Sequence, residues 1–322
     1  MSGGTAARRV VVSGGAGFIG SHTVEALVAR GWRVLVVDDL SHACGAELPG
    51  EVEVLAADAG SEEAASALWR FAPDAALHLA ARGGVALALG DPRGYVARSV
   101  ASSVGFFAGA CAAGARVLVT ASTGGALYGE ADVLPTPETV SPAPRSPYGA
   151  SKQAEEGYLD CFGRMHAIST VALRYGNVYG PRQDGSGEAG VVAITAQRLV
   201  DSQVPRIHGD GRQTRDFVYV ADVAAANVAA LAGAPARAIN IGTGREASVL
   251  EVVRTLVDAS GDGVAPELLP ARPGEVRRSC LDVGRAAQSL NWRAQTTLTD
   301  GLSATYAWFA THRLRQQITG GV

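Results

Sequence analysis

The chain has 322 residues, 47% of them apolar, which is enough to fill one large domain or two domains that share a core. Its net charge of -3 and the scattered placement of its 28 basic residues argue against nucleic acid or an acidic membrane face as partners, and favour a small molecule. Four widely separated cysteines without a Cys-x-x-Cys pair argue against a zinc site and a disulfide framework, so we expect no metal and reduced, buried thiols.

The N-terminal segment offers no targeting signal. It runs from Met1 through Arg9 directly into a predicted strand, without the apolar stretch of a signal peptide. The most apolar region, Val100–Ala121, is interrupted by several glycines and by Arg116, so we expect no membrane span. Together these features predict a cytoplasmic protein.

Short apolar runs, typical of buried strands, recur between helical patterns in the first half of the chain. Continuous hydrophobicity of this kind is typical of strands covered on both faces, as in a parallel sheet wrapped by helices. The runs are Val10–Val12, Val34–Val37, Val52–Ala56, Ala75–Leu79, Val117–Thr120 and Thr170–Leu173. They predict an α/β fold with a doubly wound parallel sheet of the Rossmann type.

The first predicted strand leads into a glycine-rich turn, Ser13-Gly14-Gly15-Ala16-Gly17-Phe18-Ile19-Gly20, and then into a helical pattern. Glycines at 14, 17 and 20 permit a tight turn, close approach of a pyrophosphate and close helix packing, while the helix N-terminus favours anions. Asp38 ends the second strand, where its carboxylate can bind an adenosine ribose and repel a 2'-phosphate, or else cap a loop. We therefore predict NAD rather than NADP. Asp58, after the third strand, suits an adenine contact or a turn about equally well.

A helix start is predicted at Ser146-Pro147, because serine is a frequent N-cap and proline fits the first helical position. Tyr148 and Lys152 then lie one turn apart on the same face. An ammonium beside a phenol favours the phenolate and lowers its pKa towards the working range of a general base. Lys152 is the only lysine among the 28 basic residues, which favours a dedicated role over chance.

The pattern changes after Gly180, where the segment 181–190 is rich in glycine, proline and charge. A later apolar run, Ala238–Ile241, is predicted to return to the sheet. We therefore predict two interleaved units. The cofactor-binding unit comprises 1–176 and 216–245, and the smaller C-terminal substrate unit comprises 177–215 and 246–322.

These motifs resemble those of the extended short-chain dehydrogenase/reductase superfamily, and within it the UDP-glucose 4-epimerase-like nucleotide-sugar enzymes. The resemblance covers nearly the whole chain and includes His78–Ala81, Leu173–Pro181, Arg215–Val220, Asn240–Gly244 and Arg272–Glu275. It implies that Tyr148 removes the 4-hydroxyl proton while hydride passes from C4 of a UDP-hexose to tightly held NAD. The 4-keto sugar then rotates and takes the hydride back on its other face.

The resemblance also assigns residues to each ligand. The third catalytic group is a hydroxyl at the end of the fifth strand. Gly124 stands at its usual position, so we assign Thr123, with Ser122 as the fallback, beside Tyr148 and Lys152. The expected cofactor contacts are Gly14, Gly17, Phe18, Ile19, Gly20, Asp38, Asp39, Leu40, Asp58, Ala59, Leu79, Ala80, Ala81, Ser99, Tyr148, Lys152, Tyr175 and Val178. The expected substrate contacts are Arg82, Thr123, Tyr148, Asn177, Val191, Val192, His208, Arg215, Arg272, Glu275 and Ser279. For Val191, Val192 and His208 a core or loop role is an equal alternative, Arg82 is otherwise a surface charge, and Arg215 is otherwise part of a salt bridge.

Some positions depart from the family pattern at the sugar end of the site. Ser99 stands where relatives commonly have asparagine, and Gly83-Gly84 replace a serine-containing loop. Ser279 aligns with the residue that borders the 2-position of the sugar, where a small side chain leaves room for an acetamido group. The resemblance therefore implies turnover of UDP-glucose and UDP-galactose and also of their N-acetylated counterparts.

Other reactions of the family need groups that this sequence lacks. Gly124-Gly125 stand where 4,6-dehydratases carry an Asp-Glu pair, and Ala126 stands where a UDP-glucuronate decarboxylase carries a glutamate. A UDP-glucuronate 4-epimerase remains open. A net oxidoreductase would need exchangeable NADP, which Asp38 disfavours, and a non-catalytic NAD sensor would have no need of Tyr148 and Lys152.

The family commonly forms homodimers through a four-helix bundle, so we expect a homodimer here. The pairing helices would lie near Tyr95–Ala113 and Tyr148–Met165. An apolar stripe at helical spacing supports this expectation, although it must in part pack on the sheet. The stripe consists of Val100, Val104, Phe107 and Cys111.

Overall fold

A computed structural model describes residues 7–81, 84–186, 190–234, 237–271 and 276–319, with side chains described as far as residue 313. The strands in chain order are β1 (Arg9–Ser13), β2 (Arg33–Asp38), β3 (Glu53–Ala56), β4 (Ala75–His78), β5 (Val117–Thr123), β6 (Ser169–Tyr175), β7 (Asn177–Tyr179), β8 (Arg206–His208), β9 (Thr214–Arg215), β10 (Phe217–Tyr219), β11 (Ala238–Ile241), β12 (Ala247–Ser248) and β13 (Glu267–Leu269). The helices are α1 (Phe18–Val28), α2 (Glu62–Phe71), α3 (Val85–Gly90), α4 (Pro92–Ala112), α5 (Gly124–Leu127), α6 (Pro147–His166), α7 (Val191–Val200), α8 (Val220–Ala230), α9 (Val249–Ser260), α10 (Gly284–Leu290) and α11 (Leu298–Thr319).

Seven of these strands form one sheet in the order β11-β6-β5-β4-β1-β2-β3, and all neighbouring strands are parallel. The six apolar runs predicted as strands are confirmed, and so is the return of Ala238–Ile241, which pairs with β6. All these strands run in the same direction, but the order in which they are added across the sheet reverses between β1 and β4, with β2 and β3 on one side of β1 and β4 on the other. In doubly wound sheets this reversal opens a crevice at the carboxyl ends of the strands, where ligands bind.

Helices cover both faces of the sheet, as the continuous apolar strands require. On one face, Val24 and Leu27 of α1 and Val223 of α8 pack against β1 and its neighbours. On the other face, Leu68 of α2 and Phe106 of α4 belong to a second buried cluster. Burying one such side chain stabilises the fold by about 1.5–3 kcal/mol. The doubly wound α/β fold predicted from the sequence is confirmed.

The later part of the chain builds a smaller, separate core. Three two-stranded sheets pair β7 with β10, β9 with β12, and β8 with β13. Helices α7, α9 and α11 surround a buried cluster that includes Val192, Leu199, Val252, Leu256 and Leu302. The residue boundaries between a cofactor unit and a substrate unit stay a prediction.

Two general features of the described residues bear on possible ligands. Within those ranges, no helix is both long and apolar enough to cross a membrane. In the same ranges, no group of three or more histidine, cysteine, aspartate or glutamate side chains is arranged to hold a metal ion.

Candidate active site

A cleft of about 750 Å³ lies at the carboxyl ends of the central strands, beside the point where the strand order reverses. Its volume falls within the range of pockets that enclose small molecules and cofactors. Its lining includes Gly14, Gly17 and Gly20 together with Asp38 and Asp58. The residues predicted for a dinucleotide therefore surround one continuous cavity.

The glycine-rich turn packs so closely against neighbouring backbone that two of its glycines have no room for a Cβ atom. Gly14 has a φ of 71°, and a Cβ atom there would lie 2.6 Å from the amide nitrogen of Ala80. A Cβ on Gly20 would lie only 1.9 Å from the carbonyl oxygen of Gly14. Helix α1 begins just after Gly17 without a side-chain cap. Its first amide groups are thus able to bind a pyrophosphate.

Asp38 is fixed at the end of β2, against this turn. Its Oδ2 atom accepts a hydrogen bond from the Ala16 amide at 2.9 Å, and its Oδ1 atom accepts one from the Leu40 amide at 2.8 Å. Each carboxylate oxygen has a second lone pair that can accept a ribose hydroxyl. Loop capping and ribose recognition are therefore compatible at this residue. The negative charge beside the cleft disfavours a 2'-phosphate, so the cavity fits NAD.

Most of the other predicted cofactor residues also line the cleft. These residues are Phe18, Ile19, Asp39, Ala59, Leu79, Ala80, Ala81 and Ser99. The Oδ1 atom of Asp58 accepts hydrogen bonds from the Gly60 amide and the Ser102 hydroxyl, at 2.9 and 2.8 Å. Asp58 thus holds a turn and also borders the cavity.

Five of the predicted cofactor residues are not in the lining of this cleft: Tyr148 and Lys152, which are described below, and Leu40, Tyr175 and Val178. Leu40 is 45% exposed and is not part of the cleft lining. The Tyr175 hydroxyl points into the core, where it donates to Asn227 Oδ1 at 2.6 Å. The backbone of Val178 pairs with Val218, and its carbonyl accepts a hydrogen bond from Gln183. The structure does not bring these three side chains to the cavity described above.

Tyr148 and Lys152 share one face of α6, as the sequence predicts. Ser146 caps the helix by accepting a hydrogen bond from the Gly149 amide at 3.1 Å, and Pro147 opens its first turn. The Tyr148 phenol is half-buried and hydrogen-bonds to the Thr123 side chain. Thr123 ends β5 and caps the short helix α5 through the Ala126 amide.

The acidity of Tyr148 differs from the expectation. Burial raises the pKa of its phenol above the ordinary value, and the charge of Lys152 and the Thr123 hydrogen bond lower it only in part. The sequence predicts the effect of the neighbouring ammonium, but it does not reveal that the desolvation of the phenol is larger. The expected lowering is therefore wrong for the protein without ligands.

Lys152 is buried and makes an ion pair that the sequence analysis did not identify. Its Nζ atom donates to Glu155 Oε2 at 2.8 Å, and both side chains are at most 4% exposed. Burial alone would lower the pKa of Lys152, but Glu155 and Tyr148 outweigh it and hold that pKa above its usual value. The ion pair therefore favours the charged form of the lysine.

Ser122, the alternative catalytic hydroxyl, is bonded to a different residue of α6 than Tyr148. Successive residues of a strand point in different directions, so Ser122 and Thr123 meet different groups on that helix. The Ser122 hydroxyl donates to Glu156 at 2.5 Å, and Glu156 pairs with Arg174. The geometry corrects the fallback assignment and leaves Thr123 as the hydroxyl beside Tyr148.

Of the predicted substrate residues, Asn177 lies near Thr123, and Arg215 and Ser279 lie on segments that are joined to each other. Asn177 is the first residue of β7. A Cβ atom placed on Gly125 would lie 3.5 Å from Asn177 Oδ1 and 4.0 Å from Thr123 Oγ1, so both side chains border Gly125. Arg215 lies on β9, where its Nη1 atom donates to the Thr214 carbonyl at 2.8 Å. The same carbonyl accepts the Ser279 amide at 3.2 Å, so Arg215 and Ser279 are held on adjoining segments.

The other predicted substrate residues pack against the protein's own residues or lie outside the described ranges. Val192 is 1% exposed within the smaller core, and Val191 packs against that core. Of the two alternatives that the sequence left open, the core role describes Val192, whereas Val191 is half-buried at the edge of that core. His208 is half-buried and hydrogen-bonds through Nδ1 to the Pro270 carbonyl. Arg82, Gly83, Arg272 and Glu275 lie outside the described residues.

Comparison with known proteins gives consistent matches over almost the whole chain. The profile of the NAD dependent epimerase/dehydratase family matches residues 10–242. A UDP-glucose 4-epimerase of Mycolicibacterium smegmatis is 39% identical over 94% of this chain and 98% of its own length. The crystal structure of a Thermotoga maritima UDP-glucose 4-epimerase with UDP-glucose superposes with a TM-score of 0.91 at 38% identity, covering 95% and 99% of the two chains. A Thermus thermophilus UDP-glucose 4-epimerase in complex with NAD gives a TM-score of 0.87 at 39% identity, covering 94% and 98%.

Proposed function

Because the chain belongs to the NAD dependent epimerase/dehydratase family, we propose that it is an NAD-dependent UDP-sugar 4-epimerase that interconverts UDP-glucose and UDP-galactose. The observation that carries the proposal is the contact of the Tyr148 phenol with Thr123, one helical turn from the buried cation Lys152. Bound NAD would supply the hydride acceptor for C4 of the sugar. The protein's own groups must then move one proton and hold the reacting carbon in place.

Tyr148 is the group suited to moving that proton. Its phenolate would accept the proton of the 4-hydroxyl. The resulting phenol would return the proton after the keto sugar has rotated in the site to present its other face. Thr123 orients the phenol through their hydrogen bond, and the Lys152 ammonium stabilises the phenolate. Because Gly124 and Gly125 carry no acid or base, nothing at these positions supports elimination of water.

We assign Asn177, Arg215 and Ser279 to the nucleotide-sugar pocket. Asn177 adjoins Thr123 across Gly125, and the Thr214 carbonyl links the segments of Arg215 and Ser279. A guanidinium is the natural partner for a diphosphate because it presents several donors in a rigid fork. Arg82, Arg272 and Glu275 belong to the same proposal on the strength of the family resemblance.

The direct test is to incubate the purified protein with a panel of UDP-sugars, add no cofactor and separate the products. We expect UDP-glucose and UDP-galactose each to yield a mixture of both, because NAD stays bound and is regenerated. Interconversion of UDP-glucuronate and UDP-galacturonate alone would favour the carboxylated substrate. Bound NAD without turnover of any sugar in the panel would favour a sensor.

The small side chain of Ser279 leads to a prediction about substrate range. The wild-type protein should also turn over the N-acetylated pair. Ser279→Tyr should fill the space for the acetamido group and raise discrimination against that pair by roughly a hundredfold, as steric exclusion can. The kcat/KM ratio of the two substrate pairs, measured on the same variant, corrects for general damage. Equal losses on both pairs, or a wild type inactive on the N-acetylated pair, would contradict this assignment.

We further propose that two copies pair through α4 and α6, which pack side by side in the chain. Phe107 of the predicted stripe is buried against the sheet, whereas Val100, Val104 and Cys111 are half-buried. Apolar side chains on the outer face of the pair support an interface: Val96 is 48%, Tyr158 47% and Met165 69% exposed. Leaving such a surface in water is unfavourable, and pairing would cover it.

Light scattering at micromolar concentration should therefore give about twice the chain mass of 32.9 kDa. Met165→Glu should shift the population towards monomer by placing a charge within the interface. Trp69→Glu is the matched control, because Trp69 on α2 is also 69% exposed but lies outside the α4/α6 face. A monomeric wild type would contradict the proposal.

A cytoplasmic location is part of the same proposal. It rests on the four free cysteines, whose thiols a reducing compartment would preserve; Cys280 is buried, but Cys161 is exposed, so the expected burial is wrong for Cys161. Fractionation of cells that express the native gene should recover the protein with cytoplasmic markers, and recovery in a secreted or envelope fraction would contradict it.

A further inference from the structure

A buried carboxylate faces the only lysine of the chain, and the reaction outlined above assigns it no role. Glu155 lies on α6 less than one turn after Lys152 and is 1% exposed. Its Oε2 atom accepts the Lys152 ammonium at 2.8 Å. Its Oε1 atom accepts the Ser99 hydroxyl of α4 at 2.9 Å. Both oxygens are thus held, one from its own helix and one from the helix packed against it.

The support for Ser99 extends across α4 to the sheet. The Ser99 carbonyl accepts the Ser103 hydroxyl at 2.9 Å, and that hydroxyl lies 2.8 Å from His78 Nε2. His78 Nδ1 lies 2.6 Å from the Ser13 hydroxyl of β1. Burial lowers the pKa of His78 to about 3, so the ring stays neutral and acts as a fixed link. The carboxylate is consequently anchored to rigid elements rather than to a mobile loop.

A buried ion pair of this kind needs an explanation beyond stability. Taking two charges out of water costs free energy that their attraction recovers only partly, and apolar side chains of similar volume are often as stable. Glu155 also sits beside a phenol whose ionisation depends on the nearby charge. Its negative charge acts on Tyr148 in the direction opposite to Lys152.

The other groups around Tyr148 and Lys152 do not replace this effect. Tyr95 of α4 places its ring edge-on at 6.4 Å from the Tyr148 ring, and burial raises the pKa of Tyr95 to about 12, so it stays neutral. His78 of β4 is neutral as well. Arg174 of β6 is bonded to Glu156 and to the Tyr128 hydroxyl. Thr123 of β5 does not titrate. Lys152 and Glu155 are therefore the charges that act on the phenol among these groups.

We propose that Glu155 is a positioning residue that fixes the Lys152 ammonium beside Tyr148 and, by offsetting its charge, sets the pH range in which Tyr148 works as a base. This inference rests on the proposed epimerase function. It predicts that the ammonium is held in place before any ligand arrives, and that the carboxylate makes the phenol a weaker acid and hence a stronger base.

The test is the pH dependence of Glu155→Gln. Removing a negative charge eases ionisation of the phenol, so the acid limb of the kcat/KM profile should move to lower pH by about one unit. Burial of Lys152 is then no longer opposed by a carboxylate, so its pKa should fall and the alkaline limb should also move to lower pH. Glu155→Asp keeps the charge and should keep the wild-type profile, even with a lower kcat.

Glu156→Gln is the matched control. It removes a carboxylate from the adjacent position of α6, but that carboxylate pairs with Arg174 and Ser122. We expect a lower melting temperature and an unmoved pH profile. If the amide at 155 prevents folding, Glu155→Met fills a similar volume without an unpaired polar atom and should give the same shift.

A second readout does not depend on turnover. Tyrosinate absorbance is titrated against pH in the wild-type protein and in Tyr148→Phe, and the difference between the two curves reports the ionisation of Tyr148 alone. When both titrations are repeated with Glu155→Gln present, the difference curve should move to lower pH by about one unit. An unmoved difference titration and an unmoved kinetic profile, with only activity or stability reduced, would overturn the proposal. A wild type without epimerase activity would instead refute the proposed function, while the titration would still test the charge effect.

Discussion

Tyr148→Phe is expected to lower kcat by about 10²- to 10⁴-fold, the usual contribution of a general base. The substitution removes one hydroxyl and preserves the ring, so the packing against Tyr95 should be retained. The cleft that surrounds the glycine-rich turn and Asp38 is unchanged, so NAD should remain bound through gel filtration. The measurement is steady-state epimerisation together with the absorbance of retained cofactor.

Tyr158→Phe on the same helix is the control, because Tyr158 is 47% exposed and the substitution removes an equivalent hydroxyl while it keeps the apolar ring on the proposed dimer face. It should leave kcat unchanged. Retention of more than a few per cent of wild-type activity in Tyr148→Phe would show that another group abstracts the proton.

Gly20→Ala is expected to abolish retention of NAD and with it nearly all activity. The added methyl group would lie 1.9 Å from the Gly14 carbonyl oxygen, a distance that non-bonded atoms do not reach. Since the obstacle is backbone rather than a flexible side chain, the glycine-rich turn must move away from α1. The measurement is the NAD content of the purified protein, with the melting temperature recorded to detect general unfolding.

Gly50→Ala is the matched control, because a Cβ atom at Gly50 meets no heavy atom within 4 Å. Its NAD content should equal that of the wild type. Full cofactor retention in Gly20→Ala would show that this turn does not hold the pyrophosphate.

Much of the fold follows from the sequence because buried parallel strands leave a strong signal. Val10–Val12 and Val34–Val37 are continuous apolar runs, and both lie in the interior of the sheet. The cap at Ser146 and the proline at 147 likewise fix where α6 begins. The short strands β8, β9 and β12 gave no such signal, because two or three residues do not establish an alternation and their pairing depends on distant segments.

The site was predictable where spacing along one element determines geometry. Tyr148 and Lys152 are four residues apart on a helix, so their common face follows from helical periodicity. The choice between Ser122 and Thr123 depends on which of the two hydroxyls of β5 meets Tyr148 and which meets Glu156, both on α6, and the sequence does not contain that geometry. Glu155 was missed because a glutamate on a polar helix is ordinarily solvated, and only the packing of α4 against α6 buries it.

Conversion of UDP-glucose that carries deuterium at C4 tests the central claim most directly. If hydride moves to bound NAD and returns to the same carbon, the UDP-galactose formed without added cofactor will retain the deuterium at C4, and no label will enter solvent. Mass spectrometry and NMR of the separated products measure both the content and the position of the label. Loss of deuterium to solvent, or failure to form the epimer, would contradict the proposed NAD-dependent 4-epimerase.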